Sequence, residues 1–149
     1  MITVLRTDSS NSDFKELVKQ LDAFLADKNG EDHSFYDQYN KIDSIKHAVV
    51  IYEDAKPIAC GAIKEYAPGI MEIKRMYTRP EARGKGVAAE VLKELEAWAH
   101  SLNYSSCILE TLKENLQAVR LYEKSGYHII PNYGQYAGIE NSVCFEKAL

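Results

Sequence analysis

Apolar residues recur at helical spacing in two long segments of the chain. The first runs from Phe14 to Leu25 and ends near Gly30, a residue type that permits a left-handed helix C-cap. The second runs from Gly86 to Leu102, and its charged residues lie largely off the apolar face. These patterns predict two amphipathic helices, of which the second is the clearest element in the sequence.

Strands are predicted where short runs are β-branched or alternate between apolar and polar residues. Turn-forming residues at 53–57 predict that the runs 48–52 and 58–66 form a hairpin. A shorter helix is predicted at 31–39. Another is predicted at 116–124, with Asn115 as its N-cap and Gly126 just beyond its C-terminus. The predicted strands are 2–6, 48–52, 58–66, 70–78, 106–111, 127–130 and 142–146.

The predicted element order is β-α-α-β-β-β-α-β-α-β-β. This order is typical of the α+β class, with helices flanking one mixed sheet that is antiparallel at first and parallel where the helix from Gly86 crosses over. The length of 149 residues and the hydrophobic content of 46% fit a single domain, residues 1–149. The sequence shows no internal repeat, low-complexity segment or linker.

Composition narrows the classes of function. The formal net charge of −4 argues against a nucleic-acid binder, because such proteins present a basic face to phosphates. The first residues do not resemble a signal peptide and no run approaches eighteen apolar residues, so we expect a soluble, cytoplasmic protein with no membrane partner. Cys60, Cys107 and Cys144 lie far apart in apolar runs, which predicts buried free thiols rather than a metal or disulfide role.

The segment Arg83-Gly84-Lys85-Gly86 lies between a predicted strand and a predicted helix. Glycine lets the main chain approach an anion closely, and a helix N-terminus offers unpaired N–H groups and a favourable dipole. The segment is too short for the dinucleotide-binding fingerprint and lacks the spacing of the ATP-type phosphate loop. By itself it predicts either a bound phosphate or only a glycine-rich turn that caps the helix.

Two segments carry recognisable signatures. In residues 72–88, a strand and Pro80 precede the pattern Arg83-x-x-Gly86-x-Ala88. The second signature consists of Asn115, Ala118, Leu121, Tyr122, Gly126 and Tyr127. Together the two segments resemble the signatures of the GNAT superfamily of acyl-CoA-dependent N-acetyltransferases. The resemblance covers residues 48–149 and implies the family's three-layer fold, in which helices flank one mixed, mostly antiparallel central sheet.

The resemblance assigns an acyl donor, acetyl-CoA, to two parts of the chain and implies no metal. The main chain of Met76 and Thr78, on either side of Tyr77, would pair with pantetheine like another strand. Asn115 is a further candidate contact, although its capping role explains it equally well. The pyrophosphate would bind the backbone of Arg83, Gly84, Lys85, Gly86, Val87 and Ala88.

The alternation of apolar residues along the predicted strand is broken between Ile73 and Met76. The two are three positions apart, an odd separation, or parity slip, that would place them on opposite faces of a regular strand. Such a slip is what a β-bulge produces. In the family a bulge here exposes a backbone N–H to the thioester carbonyl, as an oxyanion donor. The alternative is a plain strand in which Met76 faces the other way.

Acylation of an amine requires a neutral amine, a polarised thioester and a proton for the departing thiolate. Tyr122 matches the family tyrosine that donates to the CoA sulfur, and a phenol with a pKa of about 10 suits that role. The other interpretation is an aromatic residue that only packs on the inner face of a helix.

Three side chains are candidates for the general base, and water is a fourth candidate. Glu72 is preferred, because it matches an acidic residue that the family often places on this strand; the alternative is a simple ion pair with Lys74 or a neighbouring cation. Glu110 lies near the end of the next strand. His128 is a weaker candidate, because a lone histidine beside isoleucines is more often packed than catalytic.

Substrate recognition is expected in two variable, tyrosine-rich segments, which contribute Tyr36, Tyr39, Tyr133 and Tyr136. Tyrosines with acidic neighbours suit a small pocket for a cationic or polar amine, but they would equally suit the interface of a homodimer. The alternating tail at 139–145 would also suit pairing with another subunit.

These features favour acetyl transfer from acetyl-CoA to a primary amine of a small molecule, by direct attack in a ternary complex. One alternative is a CoA-binding sensor module without turnover, and another is a protein or peptide N-acetyltransferase. The presence of Tyr122 and Glu72 favours an enzyme. The sequence leaves the identity of the acceptor amine open.

Overall fold

The computed structural model describes residues 1–29 and 45–149, the side chains of residues 27–29 excepted. The helix predicted at 31–39, with Tyr36 and Tyr39, lies outside the described residues. Two short 3-10 turns, Pro80–Ala82 and Gly134–Tyr136, interrupt the loops. The described elements are β1 (Ile2–Thr7), α1 (Ser12–Asn29), β2 (His47–Glu53), β3 (Lys56–Ala67), β4 (Ile70–Thr78), α2 (Val87–Ser101), β5 (Ser106–Leu112), α3 (Leu116–Lys124), β6 (His128–Ile130) and β7 (Ser142–Ala148).

The strands form one sheet in the order β1-β2-β3-β4-β5-β7-β6. Strands β4 and β5 are parallel, with Glu72 opposite Ile108, because α2 lies between them in the chain. The pairs β1–β2, β2–β3, β5–β7 and β6–β7 are antiparallel, which confirms the predicted mixed, mostly antiparallel sheet. Strand β7 pairs with β5 over Ser142–Ala148 and with β6 at Cys144, Phe145 and Glu146. Pairing of the 139–145 tail with another subunit stays a prediction.

Local chemistry explains where the elements begin and end. Asp54 and Ala55 have φ of 50° and 72°, the two left-handed residues that a two-residue hairpin turn requires. The Asn11 side chain accepts the Phe14 N–H at 2.8 Å and caps α1. Asn115 caps α3 by accepting the Ala118 N–H at 3.3 Å, as predicted.

The chain divides into two compact units, and strands β3 and β4 and helix α2 supply residues to both. Unit 1 consists of Met1–Lys64 and Lys74–Leu95. A Cβ added at Gly61 of β3 would lie 2.6 Å from the Met76 sulfur and 2.7 Å from Val91, so only glycine allows this close packing. The unit's core joins the apolar stripe of α1 to β2 and β3 through Phe14, Leu17, Val18, Ile45, Ala48, Val50, Cys60 and Ala62.

Unit 2 consists of Glu65–Ile73 and Glu96–Leu149. Its core contains Leu109 and Phe145, which are paired across β5 and β7 and are both buried. Within the two units Cys60, Cys107 and Cys144 are buried and free, as predicted. That residues 1–149 form a single domain stays a prediction. In the described part of the chain, no helix is long and apolar enough to cross a bilayer.

Candidate functional site

The first candidate region is the loop between β4 and α2, where Gly84 and Gly86 have φ of 79° and 80°. A Cβ added at either glycine would meet no atom within 4 Å. Glycine is therefore needed for the left-handed backbone and not for space, since other residues lose about 1–2 kcal/mol in this conformation.

Unpaired main-chain N–H groups gather in this loop. The first helical bond of α2 runs from the Glu90 N–H to the Gly86 carbonyl at 3.2 Å. In the part of the chain that the structure describes, no hydrogen bond pairs the N–H of the six residues before Glu90. We call these residues the amide loop: Gly84, Lys85, Gly86, Val87, Ala88 and Ala89. Six adjacent free donors at a helix N-terminus suit an anion.

The side chain of Arg83, just before the amide loop, is held against unit 1. Its Nε donates to the Thr78 carbonyl at 3.0 Å. Its guanidinium carbon lies 5.4 Å from the centre of the Phe24 ring and 5.9 Å from that of Tyr77. Arg83 therefore contributes its positive charge from a fixed position, and it already occupies one lone pair of the Thr78 carbonyl.

Strand β4 departs from extended geometry at Arg75, whose φ is 58°. This residue lies between Ile73 and Met76, so the irregularity that the parity slip predicted is confirmed. The Arg75 carbonyl accepts the Cys60 thiol from β3 at 3.4 Å. Burial raises the pKa of Cys60 to about 12, so this thiol keeps the proton that it donates.

The side chain of Arg75 was not predicted to matter. It is 1% exposed, and its Nη2 lies 2.5 Å from Oδ1 of Asp22 in α1. Nε and Nη1 are buried without a hydrogen-bond partner in the described residues. The available signal was an arginine in an apolar strand, next to the parity slip.

The second candidate region lies in unit 2, around Glu72. This residue is 8% exposed, and its carboxylate accepts a hydrogen bond from the Tyr133 hydroxyl at 2.6 Å. The Tyr133 ring meets the rings of Tyr66 and Tyr136 edge-on, with centroids 5.0 Å and 5.7 Å away. The predicted recognition tyrosines Tyr133 and Tyr136 therefore contact their own chain, and Tyr136 is buried.

Glu110 is the second carboxylate of this region, and it accepts a hydrogen bond from the Ser142 hydroxyl at 2.7 Å. Burial raises the pKa of Tyr136, and the charges of Glu110 and then Glu72 raise it further, so both carboxylates act on one phenol. Burial also raises the pKa of Tyr133, followed by the charge of Glu72. We call Glu72, Glu110, Tyr66, Tyr133 and Tyr136 the tyrosine–carboxylate cluster.

Tyr122 is buried in α3, with its ring centroid 5.9 Å from that of Tyr127 and 6.0 Å from that of Phe145. Burial, and next the charge of Glu110, raise its pKa above the ordinary phenol value. Tyr122 is therefore protonated at neutral pH. Among residues 1–29 and 45–149, its hydroxyl finds no hydrogen-bond partner, so it remains available to a ligand.

The other candidate residues have simpler environments. His128 is exposed on β6, so the interpretation as a packed histidine is wrong. The side-chain oxygen of Asn115 already accepts the Ala118 N–H as the N-cap of α3. The described residues contain no group of three or more histidine, cysteine or acidic side chains that could hold a metal.

Comparison with protein families shows a match of residues 14–127 to the model of the Acetyltransferase (GNAT) family. An uncharacterised N-acetyltransferase of Schizosaccharomyces pombe is 38% identical over 82 residues, which cover 54% of this chain and 50% of that protein. The chain thus matches about half the length of this relative. An IAA acetyltransferase of Azospirillum brasilense is 27% identical over 150 residues, covering 99% of this chain and 98% of the relative.

Solved structures of similar proteins have the same fold. A candidate acyl-CoA N-acyltransferase from Klebsiella pneumoniae superimposes with a TM-score of 0.83 at 27% identity, covering 100% of this chain and 98% of the other. A GNAT family acetyltransferase from Elizabethkingia anophelis, with acetyl-CoA bound, gives a TM-score of 0.73 at 19% identity and covers 99% and 98% of the two chains. The second likeness concerns the fold alone.

Proposed function

Because the chain belongs to the Acetyltransferase (GNAT) family, we propose that it transfers an acetyl group from acetyl-CoA to a primary amine of a small molecule. The match to the family model confirms the family and the acyltransferase class that the two sequence signatures predicted. The observation that carries the proposal is the amide loop, whose six free N–H groups suit the pyrophosphate of the donor.

The donor would bind through the main chain. The pyrophosphate would accept from the backbone N–H groups of residues 84–88, because the predicted donor Arg83 N–H is already bonded to the Pro80 carbonyl at 3.3 Å. Pantetheine would pair with Met76, Tyr77 and Thr78 as an added strand. The acetyl-CoA bound to the E. anophelis protein of the same fold supports this choice of donor. Asn115 is the weakest of the proposed contacts, because its side chain already caps α3.

The reaction is a direct transfer in a ternary complex. The amine nitrogen attacks the thioester carbon, the new C–N bond forms and the C–S bond breaks. The nitrogen's proton passes to the general base, for which we propose Glu72, and the departing thiolate takes a proton from the Tyr122 hydroxyl. Its unpaired, protonated state supports Tyr122 in this role. Glu110 and water remain the alternatives to Glu72, ahead of the exposed His128.

The tyrosine–carboxylate cluster suggests the class of acceptor. Two carboxylates, Glu72 and Glu110, act on the same buried phenol. Aromatic rings beside carboxylates attract an ammonium group through both charge and ring quadrupole. The acceptor would therefore approach as a cation and lose its proton before attack.

A turnover screen tests the proposal. Acetyl-CoA would be offered with polyamines, amino acids, aminoglycosides, short peptides and IAA, and released CoA thiol would be measured. We expect thiol release with at least one small amine. Binding of acetyl-CoA without thiol release from any acceptor would instead indicate a sensor module, and turnover restricted to peptides would indicate a peptide acetyltransferase.

A further inference from the structure

We infer that Arg75 is a positioning residue: through its ion pair with Asp22, it holds the irregular stretch of β4 in the one conformation that presents its backbone N–H groups to the thioester carbonyl. This role rests on the function proposed above. We call the Arg75–Asp22 pair the β4 clamp.

The backbone at Arg75 needs an external restraint. A φ of 58° is the left-handed region, which a residue with a Cβ and a long side chain adopts at a cost in strain. Glycine would adopt it freely, yet arginine occupies the position. Strained conformations of this kind persist only where surrounding contacts hold them in place.

Three contacts in unit 1 supply that restraint. The guanidinium is tied to Asp22 of α1, and the Arg75 carbonyl accepts the Cys60 thiol of β3. Two residues later, Tyr77 packs against the core formed by α1, β2 and β3. The side chain, the carbonyl and the following strand are thus each attached to a different part of the unit.

Stability does not explain the choice of arginine. The side chain is 1% exposed, while Nε and Nη1 have no hydrogen-bond partner in the described residues. A buried charge that is only partly satisfied is a poor source of folding free energy. What such a pair supplies is a geometric restraint, because the contact from Nη2 to Asp22 ties β4 to α1.

The clamp should affect turnover more than donor affinity. It acts on the strand that would polarise the thioester carbonyl, whereas the pyrophosphate would bind the amide loop. The six donors of the amide loop, residues 84–89, lie outside residues 74–78, the stretch that the clamp holds.

The test uses Asp22→Asn, Arg75→Gly and Arg75→Lys, with Glu16→Gln as the matched control on an exposed position of the same helix. Measurements are kcat and KM with the best amine of the screen, the Kd of acetyl-CoA, the thermal midpoint, and hydrogen exchange of the backbone at 74–78. Asp22→Asn and Arg75→Gly should lower kcat roughly 10-fold to 100-fold, because small displacements of a catalytic group have effects of this size.

In the same two variants the Kd of acetyl-CoA should change by less than about 3-fold, which is about half of the 1.4 kcal/mol that a tenfold change represents. Exchange at 74–78 should accelerate, and Arg75→Lys, which keeps the charge, should restore part of kcat. Glu16→Gln should match the wild type throughout. A wild-type kcat and wild-type exchange in folded Asp22→Asn and Arg75→Gly would overturn the clamp.

The two proposals fail separately. If the wild-type protein releases no thiol with any acceptor, the proposed function fails, and exchange at 74–78 in the variants still decides whether the clamp positions β4. If Arg75→Gly does not fold, Asp22→Asn decides, because the Asp22 side chain is 45% exposed and asparagine has nearly the same size.

Discussion

The amide loop and the tyrosine–carboxylate cluster present their chemistry with different parts of the chain. The amide loop offers main-chain N–H groups, and residues 83–86 just before α2 are exposed. The cluster offers side chains from β3, β4, β5 and residues 133–136, and two of them, Glu72 and Tyr136, are buried. A backbone site depends on conformation and tolerates changes of side chain, whereas a side-chain site depends on individual atoms. Mutations should therefore act differently in the two regions.

The largest effect is expected for Gly86→Val, which disfavours the left-handed backbone of the amide loop. Several anion-directed hydrogen bonds would be lost together, so the affinity for acetyl-CoA should fall by at least about 100-fold in calorimetry. Gly138→Val is the matched control, because Gly138 also has a φ of 80° and open space at Cβ. It should share the strain but keep donor affinity, and unchanged affinity in Gly86→Val would rule out the pyrophosphate role.

Tyr122→Phe should lower kcat about 100-fold while the Kd of acetyl-CoA changes little, because only proton donation is lost. Since the pKa of Tyr122 is raised, the acid form should persist to high pH, and kcat of the wild type should not fall between about pH 8 and pH 10.

Tyr127→Phe is the control. It removes the hydroxyl bonded to Glu96 at 2.9 Å and should reduce stability by about 1 kcal/mol without changing kcat. Wild-type turnover in Tyr122→Phe would leave Tyr122 as a packing residue.

Glu72→Gln should remove the lower limb of the pH–rate profile and reduce kcat at neutral pH by roughly 10-fold to 100-fold. The amide keeps the shape and can still accept the Tyr133 hydrogen bond, so folding should persist. Glu110→Gln is the comparison within the cluster. If the limb survives in Glu72→Gln and disappears in Glu110→Gln, the general base is Glu110, and survival in both points to water.

The smallest effect is expected for Arg83→Ala, since the guanidinium is already bound to the Thr78 carbonyl and stacked near Phe24 and Tyr77. Affinity for acetyl-CoA should fall by less than about 10-fold, and by less still at high salt, where charges are screened. Lys85→Ala, which removes an exposed charge from the amide loop itself, gives the comparison. A loss near 100-fold in Arg83→Ala would assign phosphate binding to the side chain instead of the backbone.

The amide loop could be predicted from sequence because its geometry follows from local residues. The glycines at 84 and 86 and the helical period from Val87 define it, and the cap at Asn115 was equally local. The same holds for the irregularity in β4, which parity revealed. The placement of acetyl-CoA on these residues, the cytoplasmic location and the homodimer stay predictions.

The tyrosine–carboxylate cluster could be predicted only as separate candidates. Tyr133 and Glu72 are 61 positions apart, and Ser142 and Glu110 are 32 apart, so sheet order and loop path decide whether they meet. The clamp partners Arg75 and Asp22 are 53 positions apart, and periodicity cannot pair them. His128 was misjudged because a three-residue edge strand gives too little pattern to distinguish buried from exposed faces.

The three cysteines have a practical consequence for work with this enzyme. Burial raises the pKa of Cys60 and Cys107 to about 12 and that of Cys144 to about 11, and none of the three side chains is exposed. At pH 8 only about one thiol in a thousand or fewer would be ionised, and the thiolate is the form that attacks an aromatic disulfide reagent. Colour from such a reagent should therefore report the coenzyme product with almost no background from the folded protein, and a slow rise in that background would mark its unfolding.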